Sequence, residues 1–181
     1  MSDFLMEAPP MSRAKIEDLC WALRQILELT DPYLPIVYLL EFGGLDAIGS
    51  HYYFHVADKA EMGNRHGAVD PINRILMLRE DVYFGAVGGK GRDRFTAAHE
   101  FGHAVLHTAT LNRAPAGVDS LPAYRDPEWQ ANEFAGAFLM PRRMMMHMRS
   151  LKEVTDEFGV TFEAASTRAR RLKLSLPPLS L

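Results

Sequence analysis

Cysteine is nearly missing from this chain: Cys20 is the one cysteine in 181 residues. A disulfide-stapled scaffold is excluded, and a reducing cytoplasm is the expected compartment. No stretch approaches 18 uninterrupted apolar residues, so no membrane-spanning helix is expected. The first ten residues, with Asp3 and Glu7, lack the basic-then-apolar order of a secretory leader. Charge of one sign is not in large excess either, and a net charge of −3 implies no strong affinity for polyanions. No internal repeat or low-complexity tract is visible. Gly88-Gly89-Lys90-Gly91 lacks the G-x-x-x-x-G-K-[ST] spacing, so a phosphate-cradling loop is not supported. The remaining composition, 48% apolar and 24% charged, is that of a globular chain of one domain with at most a small appendage.

Against this plain background stands His99-Glu100-Phe101-Gly102-His103. Residues i and i+4 share one face of a helix, so two imidazoles can reach one ion. Glu100 is rotated by about 100° from His99 and can lean over the ion without binding it. This is the arrangement of a zincin: two histidine ligands and a glutamate base that takes a proton from water. Residues 92–108 contain no proline and one glycine, and Phe95, Ala98, Val105 and Leu106 suit a buried helical stripe. Gly102 costs about 1 kcal/mol against alanine, and close approach of another segment over the metal is the expected return.

A catalytic site of this type needs a third ligand. His107 continues the i, i+4, i+8 series, but it would stand about 12 Å along the axis from His99, against metal–nitrogen bonds of about 2.1 Å. It is expected to cap or pack the helix end. The metzincin pattern is absent, since Leu106 and Ala109 occupy its glycine and histidine positions. In the next helix, Asp126 is a cap residue and Pro127 suits the first helical position. Glu128 follows in the first turn, with Asn132 on the same face. Glu128 is the expected ligand and Asn132 the amide that orients a histidine behind the metal. Glu133, about 100° away around the axis, is the competing ligand.

The stretch from Arg92 to His107 resembles the core of the ImmA/IrrE family of metallo-endopeptidases. So do Glu128-Trp129-Gln130-Ala131-Asn132-Glu133-Phe134-Ala135 and Phe138-Leu139-Met140-Pro141. The resemblance covers roughly residues 60 to 175. It implies a small gluzincin-like protease whose relatives cleave, or relieve repression by, helix-turn-helix transcriptional repressors, or serve in stress-response switches and toxin–antitoxin pairs. Carried over position by position, it implies His99, His103 and Glu128 as ligands and Glu100 as the base. Phe101 stands where the family usually has an aliphatic residue, at a position pointing away from the metal. No motif identifies the group that stabilises the oxyanion; Tyr124 is one hydrogen-bond donor to test. Zinc suits the ligand types, and manganese remains open.

The expected fold is α+β: a zincin-like core of helices around the metal with a small sheet, over residues 1–140. A helical appendage follows over 141–175, then a tail over 176–181. Residues 1–11 read as a loose tail. Ser12 caps a helix to about Leu29, and residues 36–42 read as a short helix or buried strand. His51 to Ala57 and Ile72 to Leu78 are the expected strands, with a turn over 61–70 between them. These two strands are the expected edge for an extended substrate. Arg92 and Arg94 read as solvent-facing or paired with acidic neighbours. Residues 110–125 form a long connection suited to a cleft wall or lid.

From Pro141 onward there are eight basic and four acidic residues. Helices over about 142–158 and 161–173 around Gly159-Val160-Thr161 resemble a helix-turn-helix. Arg168, Arg170, Arg171 and Lys173 lie at the C-terminal end of the second helix, where the helix dipole accounts for positive charge. A recognition helix reads bases from its other end, so packing or partner recognition is favoured over DNA binding. The partner expected is a protein substrate, a helix-turn-helix repressor, with no membrane. The rival readings are a non-proteolytic metal-binding regulator and a toxin–antitoxin component acting on a repressor or on DNA.

Overall fold

The computed structural model describes residues 5–47, 49, 51–107, 111–114 and 119–179. In chain order these form β1 (Met6–Glu7), α1 (Arg13–Ile26), α2 (Ile36–Glu41), α3 (Gly44–Ala47), β2 (Tyr53–Ala57), α4 (Lys59–Met62), β3 (Gly67–Asp70) and β4 (Ile75–Arg79). Then follow α5 (Glu80–Val87), α6 (Gly91–Leu106), β5 (Asn112–Arg113), a 3₁₀ turn (Ala123–Arg125), α7 (Pro127–Leu139), α8 (Arg142–Met145), α9 (Leu151–Phe158) and α10 (Phe162–Leu172). The class is mixed α+β, as expected. None of the described helices is long and apolar enough to cross a membrane.

The centre is helical. α6 packs along α7, and α1 covers α7. Phe101, Phe134 and Phe138 meet there with ring centroids 5.3–5.8 Å apart, all fully buried. A side chain at Gly102 would stand 2.9 Å from the Phe134 ring. The glycine therefore serves the close approach of α7 within the core, not an approach over the metal. Cys20 is a buried residue of the same core.

Helix starts follow the sequence signals. Ser12 caps α1 by accepting from Lys15 N, and Asp126 caps α7 by accepting from Glu128 N at 2.9 Å. Residues 36–42 resolve into α2, whose Ile36, Val37, Leu39 and Leu40 are buried.

The sheet departs from expectation. Its order is β2-β4-β3, with β2 parallel and β3 antiparallel to β4. β4 is thus the central strand and offers no edge; β2 is one edge and β3 the other. β3 falls inside the stretch 61–70 that reads as a turn. The expected turn is confined to Gly63–Asn64, where Gly63 ends α4 with φ 59°, and a second turn lies at Pro71–Arg74. There Asp70 Oδ1 accepts from Ile72 N and Asn73 N, each at 2.9 Å, and Arg74 adopts φ 55°. β3 and β4 both pack against α6.

Three further expectations are corrected. Residues 5–11 are docked: β1 pairs with β5, Ala8 N donates to Arg125 O, and Met11 N donates to Tyr124 O. The helix expected over 142–158 is broken into α8 and α9, because Ser150 caps a fresh start by accepting from Glu153 N at 3.1 Å. Arg94 is buried and stacks on Tyr33 at 3.7 Å. It donates to Leu34 O at 2.7 Å and Gly159 O at 3.2 Å.

The C-terminal helices share the main core. Val154, Phe158, Ala165 and Ala169 belong to the same apolar cluster as α1, α6 and α7. Arg168 is buried, donates to Met140 O at 3.1 Å and pairs with Glu17. Arg171 pairs with Glu133 at 2.8 Å. Part of the basic end of α10 is therefore spent inside the molecule.

Candidate metal centre

His99 and His103 project from one face of α6, and their Nε2 atoms lie 3.0 Å apart. Glu128, in the first turn of α7, reaches both: Oε2 is 3.3 Å from His99 Nε2 and Oε1 is 3.3 Å from His103 Nε2. The three residues are a candidate metal-ligand group, with ligand atoms all within 4.8 Å of one another. Ligands about 2.1 Å from a tetrahedral ion stand roughly 3.4 Å apart. The two imidazole nitrogens and the carboxylate therefore suit a zinc ion in chemistry and in spacing. Both histidines are about one-sixth exposed, while Glu128 stands at the open side.

The other acidic residue of this helix is elsewhere. Glu133 is 1% exposed and bridges Arg13 of α1, at 2.9 Å, and Arg171 of α10. The competing-ligand assignment for Glu133 is thereby excluded by its position, and the residue ties three helices together instead.

Glu100 lies on the flank of α6 that faces β3. It is 8% exposed. Gly67 of β3 sits directly against it: a Cβ there would be 2.5 Å from Glu100 Cγ and 2.7 Å from Oε1. Burial raises the Glu100 carboxyl above its ordinary range, against the pull of His99 and His103. Glu128 moves the other way, held well below the carboxylate range by its hydrogen bonds to His103 and His99. Burial opposes charge on His99. Its hydrogen bond to Glu128 and the nearby Glu100 nevertheless raise it above the ordinary imidazole value.

Each histidine has a partner behind it. Asn132 donates to Glu128 O at 2.8 Å, and its side chain lies near enough to His99 to favour the charged imidazole. Asn132 is the residue that the sequence reading places behind a histidine. The partner of His103 was not read there. His107 Nδ1 lies 3.0 Å from His103 Nδ1, and His107 Nε2 lies 3.1 Å from Gln130 Oε1. His107 does end α6, its N–H bonded to His103 O, but its buried ring also touches the site. Burial lowers its pKa to about 4. The i, i+4 spacing from His103 was the available signal; it marks a neighbour of a candidate ligand and no member of the cluster.

His51, His55 and His66 stay outside the cluster; His55 approaches Glu61 at 3.4 Å. Tyr124 is half exposed, and it is its backbone carbonyl that is engaged, by Met11 N and Gln130 Nε2. Of the expected lid over 110–125, residues 110 and 115–118 lie outside the described residues, while Asn112–Arg113 pair with β1 and Ala123–Arg125 form the 3₁₀ turn. A cleft of about 550 Å³ opens from Asn132 and Trp129 along Phe95 and Thr96 toward Thr161 and Ala164 at the start of α10.

The family profile described as the IrrE N-terminal-like domain, an M78 peptidase family, matches residues 53–170. The radiation response metalloprotease IrrE of Deinococcus radiodurans is 30% identical over 120 residues, covering 63% of this chain and 32% of that protein. The protein of the same name from Deinococcus deserti is 27% identical over 148 residues, covering 73% of this chain and 45% of that protein. This chain thus spans less than half the length of either relative. A solved Mycobacterium tuberculosis transcriptional regulator has a similar fold, with a TM-score of 0.52 and 20% identity over 83% of this chain and 46% of that one.

Proposed function

The chain belongs to the IrrE N-terminal-like family of M78 metallopeptidases, and from that premise we propose that it is a zinc-dependent endopeptidase acting on a protein substrate. One observation carries the proposal: His99, His103 and Glu128 converge on one point while Glu100 stands beside them, buried and not among the ligand atoms. His99, His103 and Glu128 would hold the ion, zinc by donor type, with manganese the alternative. When bound, it supplies polarisation of a carbonyl and acidification of water. Glu100 takes the proton of the attacking water and passes it to the departing amine. Its raised pKa suits the first of these transfers, since a carboxylate with a higher pKa is the stronger base toward the water proton. β3, the sheet edge beside α6, would hold the substrate backbone in extended form. The cleft beyond Trp129 would take side chains on one side of the cleaved bond.

The relatives named as radiation response metalloproteases support a role in a stress response. The similar fold named as a transcriptional regulator accords with a regulatory setting. We assign a cytoplasmic helix-turn-helix repressor as the substrate, cleaved to relieve repression. Internal pairing of Arg168 and Arg171 supports a packing role for α10 over direct DNA binding.

The test compares new protein N-termini in cells expressing the wild type or Glu100→Gln. A terminus inside a helix-turn-helix repressor, present with the wild type only, is the expected result. Identical termini in both, with zinc bound by both purified proteins, would overturn the protease assignment and leave a binding-only regulator.

A further inference from the structure

We propose that Gln130 and His107 are positioning residues that hold His103 in its Nδ1–H tautomer, with the Nε2 lone pair turned toward the ligand cluster. The inference rests on the metallopeptidase reading and deepens it.

The far end of the relay is anchored by backbone. Gln130 is 1% exposed, and its Nε2 donates to Pro9 O and Tyr124 O, each at 2.9 Å. Both amide hydrogens are used. Oε1, an acceptor only, is left facing His107 Nε2 at 3.1 Å. His107 must therefore carry its proton on Nε2. The opposite tautomer would set two lone pairs against each other in a buried site, at the cost of an unsatisfied polar contact.

The near end imposes the same proton positions. A histidine that gives its Nε2 lone pair to a metal is protonated on Nδ1. His103 Nδ1–H needs an acceptor, and His107 Nδ1 stands 3.0 Å away. That nitrogen is free to accept only if the His107 proton sits on Nε2. The contact between the two rings thus has one donor and one acceptor when Gln130 is oriented by the two carbonyls.

The consequence reaches beyond α6 and α7. Pro9 belongs to the N-terminal segment, which docks through Ala8 N to Arg125 O and Met11 N to Tyr124 O. Placement of that segment is thereby linked, through Gln130 and His107, to the lone pair of a metal ligand some hundred residues away in sequence. His99 has Asn132 beside it and no comparable histidine–glutamine pair behind it among the described residues. Partners of this kind are worth roughly 10–100-fold in metal affinity.

The experiment uses the full chain loaded with zinc. Long-range 1H–15N correlation spectra assign the protonated nitrogen of each ring, and competition with a chromogenic chelator gives zinc affinity. The expected spectrum has His103 protonated on Nδ1 and His107 on Nε2. His107→Gln retains an acceptor for His103 and a donor for Gln130, so its zinc affinity should stay within about threefold of wild type. His107→Phe keeps bulk and loses both, and its affinity should fall roughly 10–100-fold. A proton on His107 Nδ1, or an unchanged affinity in a folded His107→Phe, would overturn the relay. If His107→Phe does not fold, the wild-type spectrum decides alone. A wild-type chain with no measurable zinc affinity would overturn the metallopeptidase reading itself.

Discussion

Gly67 lies against the Glu100 carboxylate so closely that even one added methyl carbon would stand 2.5 Å from Glu100 Cγ. The contact joins the free edge of the sheet to the residue proposed as the base. Gly67→Ala should turn the carboxylate away from its position. Turnover is expected to fall at least about tenfold, because a displacement of about 1 Å at a reacting group costs one to two orders of magnitude. Zinc affinity should stay near wild type, since no ligand atom touches Gly67. Parallel measurement of kcat/KM and chelator competition checks the split; a parallel loss of both would mean that the whole site had shifted.

Glu128 and Glu133 are five residues apart on one helix and differ in environment. Glu128→Gln should abolish tight zinc binding while leaving the fold intact. Glu133→Gln should do the reverse. Removing the charge between Arg13 and Arg171 leaves two guanidinium groups without a carboxylate. Both are more than a third exposed, so screening limits the expected loss to about 1–2 kcal/mol. Urea unfolding and zinc competition on both variants separate the two outcomes.

His107 sets a pH dependence of stability in the metal-free chain. Its pKa is about 4 when folded, below the ordinary imidazole value, so the unfolded chain binds the extra proton first. Stability from this group is therefore fully present above the unfolded pKa and is lost as pH falls toward the folded one. The loss is on the order of 3 kcal/mol between about pH 6.5 and 4. Urea unfolding across that range should show a shallower acid slope for His107→Gln than for wild type. Equal slopes would place the acid sensitivity in other groups.

Gly159 ends α9 in the left-handed region, with φ 61°, and a Cβ there would run into Arg94 and Tyr33. Gly159→Ala should destabilise the chain by at least about 1 kcal/mol from the backbone alone, and by more through displacement of Arg94. Arg94→Met would strip donors from Leu34 O and Gly159 O and should cost about 2–4 kcal/mol. Thermal denaturation of the two single variants and the double variant tests the coupling. The double variant should lose less than the sum, because both changes break one contact.

Local signals carried the centre of the site. The i, i+4 histidines with the intervening Glu100 need only an unbroken helix, and Asp126-Pro127 announces the helix on which Glu128 sits. Asn132 follows from sharing that helical face. Capping by Ser12 and burial of Cys20 were legible for the same reason, since neighbours within a few residues decide them.

The edge of the sheet was not legible. Gly63, Asn64 and Gly67 read together as a turn, and Gly63 and Asn64 form one; Gly67 instead pairs with Leu78 in the sheet, where Glu100, far along the chain, leaves no room for a side chain. Arg94 looked like a surface charge; its burial depends on Tyr33 and Gly159, drawn together by packing. Residues 5–11 looked loose, as a short segment does until a sheet partner and two carbonyl acceptors appear elsewhere. His107 looked like a helix end, which it is, but its ring finds Gln130 from another helix.

By itself, then, the sequence determined what can be settled within one or two helical turns: the two histidines and Glu100 of the candidate site on one helix, the capped helix bearing Glu128 and the α+β class. The tertiary structure alone decided which glutamate meets the histidines, which strand borders them and what stands behind each imidazole. Helical spacing is a property of the local chain. The meeting of α6, α7, β3 and the N-terminal segment depends instead on burying apolar surface and satisfying buried polar groups across the whole fold.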